Sequence, residues 1–116
     1  ARSNNLSQTD STGLISSKDA SASWQISMNA DGYTIELRDD ERELGTLETD
    51  WNYYALVYDG AGNDYGYKNG VLTDSGATSE TFDINGILMG VNRGMSYFFV
   101  GQKDEVAIYN GSLRAA

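Results

Sequence analysis

Apolar residues recur along this chain mostly at period two, with no sustained helical spacing. Trp24, Ile26 and Met28 alternate with Gln25 and Ser27, and Tyr33, Ile35 and Leu37 alternate with Thr34 and Glu36. Successive side chains on a strand point to opposite faces, so each run places its apolar set on one face of a sheet. Between the runs, "NADG" (Asn29 to Gly32) has the composition of a tight turn, and Trp24–Leu37 reads as a hairpin. The charged run "RDDERE", Arg38 to Glu43, then reads as a solvated loop at its far end, because charges seldom bury. Leu14-Ile15 supplies a short strand ahead of the hairpin.

The stretch "WNYYALVYDG", Trp51 to Gly60, is apolar on both faces. A strand covered on both sides belongs near the middle of a two-layer structure, with Trp51 as a rigid anchor between facing sheets. "GAGND" closes it, and Tyr65 to Asn69 returns as its partner. Asn69-Gly70 favours a type I′ turn into a short strand at Val71-Leu72, followed by "DSGATSE" (Asp74 to Glu80) as a polar loop. Phe82–Ile84, Ile87–Val91, Tyr97–Val100 and Glu105–Tyr109 supply the remaining strands. Gly90 and Gly101 interrupt strand patterns, where glycine marks a bulge or a close backbone approach. The pattern predicts an all-β fold, a two-sheet antiparallel sandwich or jelly roll.

Composition narrows the chemistry. At 116 residues the chain has the size of one domain, and its formal net charge is −9. Phosphate recognition needs clustered Lys and Arg, and the eight basic residues here are scattered, so no nucleic-acid partner is expected. No apolar run is long enough for a spanning helix, so no membrane insertion is expected either. Without cysteine there is no thiolate chemistry or Cys-type zinc site, and without histidine there is no Ser-His-Asp triad. A metal would have to be oxygen-ligated, which means calcium or magnesium.

Three features remain as candidate chemistry. Asp104-Glu105 invites a glycosidase reading, but that reaction needs two carboxylates projecting toward one bond, and neighbours on a strand face opposite ways. "DGAGND" (Asp59 to Asp64) lacks the spacing and terminal glutamate of an EF-hand and reads as a polar hairpin turn. Tyr53, Tyr54, Tyr58, Tyr65, Tyr67, Tyr97 and Tyr109 lie mostly on strands, so a few should reach a surface, as a sugar platform or a protein interface. Asn5-Leu6-Ser7 and Asn110-Gly111-Ser112 match the glycosylation acceptor pattern.

Taken in order, the segments "W-x-x-x-A-L-V-Y-D-G" (Trp51, Ala55–Gly60), "YKNGVL" (Tyr67–Leu72), "GVNR" (Gly90–Arg93) and "FFVGQKDEVAIYNGSL" (Phe98–Leu113) resemble the laminin-G-like jelly rolls of the concanavalin A-like lectin/glucanase superfamily. The resemblance spans residues 1–116 as a single domain. It implies a non-catalytic recognition module that binds carbohydrate or a cell-surface partner, in an extracellular, cell-surface or virion-surface setting. A structural or assembly protein, such as a virion or surface-layer decoration domain, is the alternative. The E-x-D-x-x-E arrangement of the family's glucanases is absent. The resemblance also implies that Asp104 could help hold a calcium ion with groups near the N-terminus. The resemblance further implies that strands the family places ahead of the segment matching Ala1-Arg2 are absent from these residues, so an open sheet edge is expected. A missing segment of the same polypeptide, a neighbouring subunit or a partner protein would complete it.

Overall fold

A computed structural model describes residues 1–8, 12–18, 24–29, 34–38 (backbone only), 42–79, 82, 86–92 and 94–111. Among these there are ten strands and no helix, in three antiparallel sheets, as the period-two pattern requires. The largest sheet has five strands: β2 (Gly13–Ser17), β3 (Gln25–Met28), β4 (Thr34–Arg38), β5 (Arg42–Thr46) and β9 (Ile87–Met89), in the order β5-β4-β3-β2-β9. β6 (Tyr54–Tyr58), β7 (Asn63–Lys68) and β8 (Val71–Ala77) form a three-stranded meander, and β1 (Arg2–Ser3) pairs with β10 (Gly101–Gln102).

The hairpin expected over Trp24–Leu37 is present, with Ile26 opposite Leu37 and Met28 opposite Ile35. Its turn at residues 30–33 lies outside the described residues, as do residues 83 and 84 of the expected strand Phe82–Ile84. β6 and β7 pair without a register shift, and Asn69-Gly70 joins β7 to β8 with φ 52° and 79°. Those two positive values are what a type I′ turn requires, and Asn and Gly adopt them cheaply. Gly101 also behaves as expected, because a side chain there would collide with the Arg2 carbonyl oxygen across the β1–β10 pair.

The core lies between the five-stranded sheet and the meander. Leu14, Ile26, Met28, Leu44 and Leu47 form it, with Ile15, Tyr54, Leu56 and Phe99 packed against it. A charged joint lies beside the core. The Arg42 Nε donates to Asp64 Oδ1 at 2.8 Å, its Nη2 donates to the Ala77 carbonyl, and Asp74 accepts from the Glu43 amide. Arg42 and Asp64 are both largely buried, so each supplies the counter-charge that makes the other's burial tolerable.

Four expectations need correction. The "RDDERE" run is not one solvated loop: Arg38 ends β4 and Arg42 begins β5, where pairing with Asp64 admits a charge into a strand and Leu44 turns into the core. Asp74–Ala77 of the expected polar loop belong to β8, whose side chains alternate between exposed and half-buried, and backbone pairing with β7 holds them extended. β6 is not buried on both faces in mid-sheet. It is half-buried throughout and pairs, among the described residues, with β7 alone. Neither Tyr97–Val100 nor Glu105–Tyr109 is a strand; Phe98 makes isolated bridges to Gly13 and Val91, and residues 103–109 run outside any sheet.

Candidate functional site

Parity along β6 decides which side chains meet the core. Asn52, Tyr54, Leu56 and Tyr58 share one face; Asn52 is buried, while Tyr54 and Leu56 pack on the core cluster. Trp51 and Tyr53 belong to the other face. Trp51 is therefore 50% exposed rather than a core anchor, with the Arg2 guanidinium 5.4 Å from its ring centre. Asn52 does the anchoring instead. Its Nδ2 donates to Glu48 at 2.8 Å, its Oδ1 accepts from Asn69 at 2.8 Å, and its amide donates to the Ala1 carbonyl.

A cleft of about 580 Å³ opens between β6 and residues 103–111, and Leu14, Ile15, Trp24, Ile26 and Phe82 also line it. Phe82 stacks on Tyr58 at 4.6 Å and on Trp24 at 6.5 Å between ring centroids, so three rings share one wall. Burial, with the Glu48 carboxylate adding a smaller effect, pushes the Tyr54 phenol well above the ordinary tyrosine range. Burial also holds the Lys103 ammonium below its usual value, and it rests 4.8 Å from the Phe99 ring centre. Opposite β6, the closing segment is exposed: Val106, Ile108 and Tyr109 all face solvent.

The carboxylates at the cleft have distinct local roles. Asp59 is engaged by its own turn, accepting from the Asn63 side chain at 2.8 Å and from the amides of Ala61 at 2.7 Å and Asn63 at 3.0 Å. The Asn63 side chain first, then those amides, hold its carboxyl below the usual range. "DGAGND" is thus a self-satisfied polar turn. Asp104 is exposed and accepts from the amide of Glu105, whose φ of 51° takes it off any strand geometry. The two acids are adjacent, but alternation of faces is not what separates them. Calcium takes six to eight oxygens, and among the described residues no three Asp or Glu side chains converge at Asp104 or elsewhere.

The sequence pattern missed the ring stack, because Trp24, Tyr58 and Phe82 come from three separate segments with no shared spacing. It also missed Gln8, which is buried and ties the N-terminal segment to Val100: its side chain accepts from the Val100 amide at 3.0 Å and donates to that residue's carbonyl at 3.2 Å. Asn5 of the first acceptor pattern uses its side-chain oxygen for Gln8 and Ser7, and Ser112 of the second lies outside the described residues.

The antiparallel sheets and the core between them define an all-β sandwich. Residues 2–116 match the laminin G family of the concanavalin A-like lectin/glucanases superfamily, and the chain belongs to that family. No curated protein and no solved structure matches it. The superfamily's own description covers lectins and glucanases alike. Among the described residues no helix is long and apolar enough to cross a membrane.

Proposed function

We propose that this chain is a non-catalytic recognition module, working at a cell or particle surface, whose ligand lodges in the cleft between β6 and residues 103–111. The observation that carries this reading is an imbalance of burial. Among the described residues seven large apolar or aromatic side chains are buried and thirteen are exposed, including Tyr53, Val106, Ile108 and Tyr109 beside the cleft. The four that gather at the cleft form the kind of apolar surface that marks a contact site. Chemistry on a glycan counts as the weaker reading. A general acid needs a carboxyl held above its usual range, whereas Asp59 is held below it by its own turn.

A polypeptide partner fits better than a sugar. Sugars are held by side-chain donors and acceptors around a stacking ring, and the Asp59 carboxylate is already engaged by its turn. Tyr53 and Tyr109, both exposed, support carbohydrate stacking as the second reading. Parallel glycan and peptide arrays, followed by amide chemical-shift mapping of the hits, separate the two. Hits should shift residues 54–58 and 104–109, and Tyr109→Ser should weaken them without changing stability. Shifts confined to residues away from the cleft, or release of sugar from a glycan panel, would overturn the proposal.

A further inference from the structure

Among the described residues, two backbone edges without a strand partner face the same cleft. The Asn69 amide bonds the Tyr53 carbonyl and the Asp59 amide bonds the Asn63 carbonyl, which marks 53/69 and 59/63 as pairs whose polar groups point at β7. The register between them runs without a shift, so Ala55 and Val57 also point at β7. By period two, the N–H and C=O groups of Tyr54, Leu56 and Tyr58 point the other way, toward the cleft. No described strand meets them there. Across the cleft, residues 106–108 make no backbone hydrogen bond to any described residue, although their apolar alternation is that of a strand. Unsatisfied backbone groups at strand spacing beside an apolar wall recognise one thing well, an extended polypeptide.

We infer that the cleft takes an added β-strand from a cationic partner polypeptide, pairing with the free edge of β6. This rests on the recognition reading above and names its ligand. The charge argues for the partner's sign. Asp59, Asp104 and Glu105 line the cleft against Lys103 and the Ala1 ammonium, in a chain of net charge −9. A second copy would bring another −9 to the same place and be repelled, whereas a strand flanked by lysine or arginine is drawn in. The partner strand needs about five or six residues to match the length of β6, with alternate apolar side chains turned onto the wall formed by Trp24, Phe82 and Tyr58.

Residue-resolved hydrogen exchange on the intact chain tests this. In the free protein the amides of Ala55 and Val57 should exchange slowly and those of Tyr54, Leu56 and Tyr58 fast. A capped peptide of alternating valine and threonine flanked by lysines should slow the second set by at least about tenfold. The same peptide flanked by glutamates should bind at least about tenfold more weakly at low salt, and the gap should narrow as salt is raised. N-methylation of alternate peptide amides should abolish the slowing. Protection of Tyr54, Leu56 and Tyr58 in the free, dilute protein would mean that the edge is already filled and would overturn the inference. Protection that grows with protein concentration alone would assign the site to a second copy and overturn it too. If the lysine-flanked peptide leaves these amides fast while a glycan shifts cleft resonances, strand addition fails and the recognition reading stands. If no probe shifts any cleft residue, both fail.

Discussion

Residues 25–28 and residues 106–109 both read as strands in the sequence and end in opposite environments. In β3 every residue is buried; Met28 is fully inaccessible, and neighbours pair with the strand on both sides. In the closing segment Val106, Ile108 and Tyr109 are each more than two-fifths exposed, and no described strand lies alongside. Alternation supplies a face, but burial depends on what occupies the two flanking edges. β3 has β2 and β4. The closing segment has an open cleft.

Core truncation should separate the two regions most widely. Met28→Ala should cost about 2–5 kcal/mol, since a fully buried side chain leaves a cavity behind. Ile108→Ser should stay within about 0.5 kcal/mol, as exposed positions do. Urea unfolding of both variants measures the gap, and equal losses would erase the distinction.

A pH limb sharpens the comparison next. The Tyr54 phenol is held above its ordinary pKa by burial and then by Glu48, so folding favours the protonated form. That stability is fully present below about pH 10, where an unfolded tyrosine begins to ionise, and is lost as pH rises toward the folded value. Tyr54→Phe should flatten the alkaline limb of a stability-against-pH curve. An unchanged limb would place the phenol in water.

Trp51 offers a smaller contrast with its neighbour Asn52. Trp51→Ala should cost less than about 1 kcal/mol, because half of the ring is already in solvent. A loss of several kcal/mol in thermal unfolding would return the ring to the core.

The smallest expected effect is calcium. With one exposed carboxylate to offer, Asp104 should give the parent a rise of about 1 °C or less at millimolar calcium, and Asp104→Ala should remove it. A rise of several degrees would require further oxygen ligands to converge on Asp104.

The amino-acid pattern by itself determined the strand-rich class, the β3–β4 hairpin and the Asn69-Gly70 turn. Each depends on side-chain period or on local φ, which neighbouring residues set. It also carried the family, through the spaced segments from Trp51 to Leu113. Tertiary structure decided the rest. Arg42 joins a strand because Asp64, 22 positions away, supplies the opposite charge. Trp51 faces water because parity is counted from Asn52, whose partners Glu48 and Asn69 turn it inward. Val106–Tyr109 have a strand's pattern without a strand's neighbour. Hydrogen-bond partners across a sheet are chosen by chain path, and a sequence read one residue at a time does not contain that path. The cleft is the clearest case. Its wall brings Trp24, Tyr58 and Phe82 together from three segments, and its open edge exists only because of where β6 and the closing segment come to lie.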